Sequence, residues 1–97
     1  MKRVRLSPLA RVDLRGIRLC TREKWGPEQA DAYMLGLSDH LEALASGDLT
    51  YQDVGWVRPG YLLHRYASHH IYFRHTGDSI DLIRILHPKQ GIAAILG

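Results

Sequence analysis

With one cysteine, Cys20, this 97-residue chain has no internal disulfide, and such sparing use of cysteine fits a reducing compartment. Lysine is scarce too, with Lys2, Lys24 and Lys89 set against ten arginines. No apolar run approaches the ~20 residues that a membrane-spanning helix needs. The start, Met1-Lys2-Arg3-Val4-Arg5-Leu6, has no long apolar core behind it. The expected location is therefore the cytoplasm, with no membrane partner. The spacings C-x-x-C and H-E-x-x-H are both missing, and the adjacent His69 and His70 of a strand point to opposite faces, so neither a metal site nor a cofactor is expected. The length leaves room for one domain, residues 1–97, around a single modest core.

What remains is an ordinary globular composition, 45% hydrophobic and 24% charged. Thirteen Lys and Arg against ten Asp and Glu give a net charge of +3. The guanidinium is a planar fork that matches phosphate and carboxylate, so an arginine-rich chain suits an acidic partner or nucleic acid. A GC-rich genome produces the same bias with no physical cause.

Val4 and Leu6 alternate with Arg3 and Arg5, which predicts a short first strand. Ser7-Pro8 then reads as a helix start, because the serine oxygen caps an orphan amide and proline at the first helical position loses no needed donor. The first helix is expected over Pro8–Lys24, with Ala10, Leu14 and Ile17 on one face. Leu9, Val12 and Leu19 extend the apolar arc beyond what one contact with a small sheet would cover. Trp25-Gly26-Pro27 breaks the pattern. A second helix follows to Ser46, its Ala30, Tyr33, Met34, Leu37, Leu41, Leu44 and Ala45 at helical spacing, and the short connection makes the two an antiparallel hairpin.

Residues 46–57 show no periodicity and are expected to be a loop. Tyr61–Ala67, His69–Thr76 and Ser79–His87 read as three strands joined by tight turns at Ala67-Ser68 and Thr76-Gly77-Asp78. The expected architecture is α+β, β-α-α-β-β-β, with the helical hairpin covering one face of an antiparallel meander. The tail, residues 88–97, is apolar after its first positions. A last helical turn, an edge strand and a partner-binding segment are all compatible with it.

Two constellations carry chemistry. Arg11, Arg15, Arg18 and Arg22 form one basic stripe on the first helix, to be met either by an acidic partner or by Glu28, Asp31, Asp39 and Glu42 of the second. The sheet region carries His64, His69, His70, His75 and His87 with Arg65, Arg74 and Arg84. Cleaving RNA through its 2′-hydroxyl needs a base, an acid and a cation for the phosphorane, roles that His64, His70, His87, Arg65, Arg74 and Arg84 could fill in principle. Strict strand alternation, however, sets Ile71 and Phe73 beside His69 and His75, and puts Tyr72 and Arg74 with His70. It also opposes Ile83 and Ile85 to Leu82, Arg84 and Leu86. The basic groups are then divided between faces, which suits structural anchors better than a catalytic cluster.

Several short words, in order, resemble the ParE branch of the ParE/RelE toxin superfamily of bacterial toxin–antitoxin systems. They are Ser7-Pro8-Leu9-Ala10, Asp13-Leu14, Ile17, Trp25-Gly26, Gln29-Ala30, Tyr33, Arg58-Pro59-Gly60-Tyr61, Ser68-His69, Ile71-Tyr72-Phe73-Arg74, Ile80 and Ile83-Arg84-Ile85-Leu86-His87. The resemblance covers residues 3–87. It implies a toxin that acts by binding DNA gyrase, without the catalytic set of the RelE-like ribosome-dependent ribonucleases. It implies neutralisation by a ParD-like antitoxin, with operator DNA reached only through that antitoxin. On this reading Leu9, Val12, Leu19, Arg11, Arg15 and Arg18 bind antitoxin, and Arg84, His87, Lys89, Ile92 and Ile95 bind the target. The alternatives are a RelE-like messenger-RNA endonuclease using His70, Arg74, Arg84 and His87, or a degenerate module that only binds antitoxin. The tail departs from the basic, Met-Asp-containing one common in the family, where that region is implicated in toxicity.

Overall fold

Ser7 joins the first strand to the first helix and to the middle of the sheet. Its Oγ accepts from the Ala10 amide (3.0 Å) and donates to the Ile83 carbonyl (2.7 Å), so the helix cap is also a strap to a strand 76 residues away in sequence. The computed structural model describes residues 3–90. Strand β1 (Arg3–Leu6) is followed by helix α1 (Pro8–Trp25) and helix α2 (Pro27–Ser46). Gly26 alone separates the helices. Its φ of 91° is open to glycine at little cost, and its amide donates to the Arg22 carbonyl, closing α1 before Pro27 starts α2. Strands β2 (Gln52–Asp53), β3 (Leu62–Tyr66), β4 (His69–Thr76) and β5 (Ser79–Leu86) complete the sheet, and a 3₁₀ turn, Pro88–Gln90, follows.

The helical hairpin and the antiparallel run of β3, β4 and β5 form as the sequence predicts. The sheet is larger than three strands, with order β1-β5-β4-β3-β2, since β1 adds in parallel to β5 and the two-residue β2 pairs with β3. The hairpin covers one face. There Ala10, Ile17, Leu37, Leu41 and Leu44 meet Ile71, Phe73, Ile80, Leu82 and Ile85. The connection expected to be a plain loop folds onto the opposite face, where Val54 and Val57 pack on Leu63, Tyr72 and Leu86. Apart from the two-residue β2, which corrects the expected plain loop, its lack of periodicity follows from covering a surface without being helix or strand.

Strict alternation fails in β5. Tyr72 pairs with Arg84 while Phe73 pairs with Leu82, so one extra residue, Ile83, is inserted. The bulge puts Leu82 and Ile85 in the same core and sends Ile83 and Leu86 to the other, which corrects the expected grouping of Leu82 with Leu86 and of Ile83 with Ile85. The groups around the irregularity find partners on the helical side. Ser7 takes the Ile83 carbonyl, and the Ile85 amide donates to Asp13 (3.0 Å).

Candidate partner-binding groove and histidine edge

Helix α1 buries Ala10 and Ile17 and turns another stripe outward. Leu9, Val12 and Leu19 are 56%, 55% and 60% exposed. Between this stripe and the ends of β4 and β5 runs an open groove of about 590 Å³, lined on the helix by Val12, Gly16 and Cys20 and across from it by Ile85, His69 and His87. A Cβ at Gly16 would meet nothing within 4 Å, so the glycine leaves the groove floor flat. A second cleft of about 610 Å³ opens on the other flank of the hairpin, between Leu14, Met34, Leu37 and Leu41 and the edge strand residues Val4 and Leu6.

Asp13 fixes the groove's geometry. Its carboxylate accepts from Arg84 Nε (2.8 Å), from the second Arg84 terminal nitrogen (3.0 Å) and from the Ile85 amide. Both side chains of the pair are mostly buried, and the hydrogen bonds that Arg84 donates to Asp13 push the Arg84 pKa above its usual value. Arg84 therefore ties α1 to β5, immediately before the chain leaves the sheet at His87. There Nδ1 of His87 accepts from the Lys89 amide (3.2 Å), and its own amide donates to Gln90 Oε1 (2.8 Å).

At the far end of the groove the Tyr33 hydroxyl and His69 Nδ1 are hydrogen-bonded at 2.6 Å, with the His87 ring 6.0 Å from that of His69. Burial lowers the His69 pKa, and the neighbouring His87 and His70 lower it further. Tyr66 donates to the Tyr33 carbonyl and lies directly on Gly36, where a Cβ would collide with its hydroxyl. Further along α2, His40 Nδ1 and His64 Nε2 are 3.2 Å apart, with His64 Nδ1 2.9 Å from the Thr50 carbonyl. Among the described residues no group of three or more His, Cys, Asp or Glu could hold a metal ion.

The sequence-named residues separate accordingly. Leu9, Val12 and Leu19 share the exposed side of α1, and Val12 and His87 line the same groove. Within the basic stripe Arg18 pairs with Asp31 of α2 (3.0 Å), while Arg11, Arg15 and Arg22 make no ion pair among the described residues. The ribonuclease set gathers only in part, since the His70 pKa is lowered by burial and then by Arg65 and His87 nearby, while Arg74 and Arg84 are held elsewhere. Arg84 is taken up by Asp13, and Arg74, beside Asp81 at 3.8 Å, stands four residues along β4 from His70, about 13 Å at the usual strand rise. Ile92 and Ile95 lie outside the described residues. Asp13, Tyr33, Gly36 and His69 were not singled out as site residues from sequence. The available hint was Asp13, the one carboxylate in the first three turns of a basic helix.

Residues 4–91 match the family model for the ParE toxin of the parDE type II toxin–antitoxin system. The chain belongs to the ParE toxin family. Similar proteins include Toxin ParE1 of Caulobacter vibrioides, 34% identical over the whole of both chains, and Toxin ParE1 of Mycobacterium tuberculosis, 33% identical over 90% of each. Toxin ParE of Escherichia coli is 28% identical over 90% of this chain and 85% of its own length. A chain of the chromosomal ParDE system of P. aeruginosa shares the fold, with a TM-score of 0.72 at 21% identity over 90% of this chain and 96% of that one. As a ParE toxin the chain is the toxin component of a type II toxin–antitoxin system. No helix among the described residues is long and apolar enough to cross a membrane.

Proposed function

We propose that this ParE toxin works in the cytoplasm by binding rather than by catalysis, that DNA gyrase is its target, and that a ParD-like antitoxin neutralises it. The observation that carries the antitoxin reading is the uncovered apolar stripe Leu9, Val12 and Leu19, of which Val12 lines the groove. An amphipathic segment of the antitoxin lies along α1 with its apolar positions on that stripe, and acidic residues flanking them meet Arg11, Arg15 and Arg18. Burying three such aliphatic side chains contributes about 1.5–3 kcal/mol each before ordering costs. The cleft beside β1 offers a continuation over the sheet edge.

On the target side, His87 and Lys89 present the end of the sheet, and Ile92 and Ile95 follow in the tail. Arg84 acts from within, since its pair with Asp13 sets where the chain leaves β5. The gyrase assignment rests on membership of the ParE family. Binding without RNA cleavage is supported by the engagement of Arg84 with Asp13 and of Arg74 with Asp81, away from the neighbouring His70 and His87. Purified toxin added to gyrase and relaxed plasmid is expected to block supercoiling or trap cleaved DNA, and antitoxin is expected to reverse this. Intact supercoiling together with cleavage of ribosome-bound messenger RNA would exchange this reading for the endonuclease.

A further inference from the structure

The positive charge of this chain is unevenly divided between its layers. The helical hairpin, residues 8–46, carries five Lys and Arg against six Asp and Glu, whereas the rest of the chain carries eight against four. The excess thus belongs to the sheet and its connections, and strand alternation sends much of it to one side. Val4 and Leu6 of β1, Phe73 of β4, and Ile80 and Leu82 of β5 face the helices, so Arg3, Arg5, Arg74 and Asp81 project from the opposite face. Arg65 shares that face with Leu63, which lies in the opposite-face cluster. The segment covering the rest of the face leaves Trp56 and Arg58 exposed.

Three neighbouring strands line up a row on this face. Asp81 stands between Arg5 Nε at 3.9 Å and Arg74 Nε at 3.8 Å, and it accepts from Thr76 Oγ1 at 3.0 Å. Its side chain is 20% exposed, while those of Arg5 and Arg74 are 70% and 50% exposed. One carboxylate lies within ion-pair reach of two guanidiniums, beyond hydrogen-bond distance from either, and leaves each fork open to an anion.

We propose that this face binds the phosphodiester backbone of double-stranded DNA directly, a contact separate from any operator binding through the antitoxin. Three features favour a polyanion over an acidic protein. The cations are arginines, whose forks match phosphate oxygens. Two strand steps place Arg5 and Arg74 roughly 10 Å apart, and a duplex offers a charge every ~1.7 Å, so both find a phosphate without special register. The row Arg5, Asp81, Arg74 also lacks the apolar centre that a protein interface builds on.

The test is fluorescence anisotropy of full-length toxin with a labelled 20-base-pair duplex of arbitrary sequence, over a salt series. Three to four phosphates neutralised give a log–log salt slope of about −3. Arg5→Ala with Arg74→Ala is expected to weaken binding at least tenfold at low salt and to flatten the slope by about 2. The charge-matched pair Arg22→Ala with Lys24→Ala on α1 is expected to stay within twofold. Should loss of the Asp81 contacts perturb folding by circular dichroism, Arg3→Ala with Arg65→Ala removes two cations that make no ion pair among the described residues, with the same expected flattening. Absence of binding at low salt, equal losses from the helix and sheet pairs, or competition by polyglutamate as strong as by DNA would overturn the proposal. Gyrase inhibition is a separate readout, so either result can fail alone.

Discussion

Arg84 and Asp13 form a two-pronged ion pair, 2.8 and 3.0 Å, between residues 71 positions apart in sequence. The pair joins the helix that borders the groove to the strand that ends at His87, and the same carboxylate holds the Ile85 amide beside the β5 bulge. One side chain on α1 therefore sets the helix–strand spacing and satisfies backbone that the irregular strand leaves over.

Breaking this pair on one side strands a charge in a mostly buried place. Asp13→Ala is expected to cost about 3 kcal/mol in urea denaturation. Asp13→Leu combined with Arg84→Met removes both charges and recovers part of that loss. If the single change costs under about 1 kcal/mol, the pair is not what fixes α1 on β5.

The exposed stripe gives a binding prediction. Leu9→Glu or Val12→Glu is expected to weaken antitoxin binding at least tenfold by calorimetric titration, about 1.4 kcal/mol, with the melting temperature little changed because both positions face solvent in the free toxin. Gly16→Trp is expected to obstruct the same groove while the fold tolerates it, since space above Gly16 is open. Unchanged affinity in all three variants would remove α1 from the antitoxin surface.

Gly36 should resist even the smallest side chain. Alanine favours helices over glycine by about 1 kcal/mol, yet its Cβ would collide with the Tyr66 hydroxyl. Gly36→Ala is expected to destabilise by about 1–3 kcal/mol despite that propensity. Adding Tyr66→Phe removes the colliding oxygen and is expected to restore part of the loss. A melting temperature for Gly36→Ala equal to or above wild type would mean that Tyr66 moves away freely.

Acid should loosen the histidine edge. The folded-state pKa of His69 is held below the unfolded value by burial and then by His87 and His70, and that of His70 is lowered by burial and then by Arg65. The unfolded chain therefore binds protons first, and stability falls as pH drops below about 6.5 and onward through the folded-state pKa values. Urea midpoints at pH 7.5 and pH 5.5 are expected to differ less in His69→Gln than in wild type. An identical pH dependence would leave His69 outside the effect.

Ala67 carries the only positive φ of a non-glycine among the described residues, 49°, at the tight turn between β3 and β4. Ala67→Gly relieves that conformation at some entropic cost to folding, and is expected to be neutral to stabilising by up to about 1 kcal/mol in thermal unfolding. Clear destabilisation would show that the Cβ contributes packing the backbone angle does not reveal.

How far the sequence carries depends on the range of the interaction concerned. Helical spacing from Ala30 to Ala45, the Ser7-Pro8 start and the Gly26 break mark both helices to within a residue or so, because propensity, capping and periodicity act over a few neighbours. The outward stripe of Leu9, Val12 and Leu19 was readable for the same reason. One helix displayed a wider apolar arc than one contact absorbs.

The sequence by itself thus determined the helical hairpin, the three antiparallel strands, the family resemblance and the greasy side of α1. Only the tertiary structure decided that Asp13 meets Arg84, that Ile83 is bulged so Leu82 and Ile85 share a core, that residues 54–61 cover the second face, and that Arg5 and Arg74 flank Asp81. Each of these depends on register between segments distant in the chain, and a one-residue slip would reverse the faces. Local patterns constrain what a segment is. Which segment it meets, and in what register, is settled only when the whole core closes.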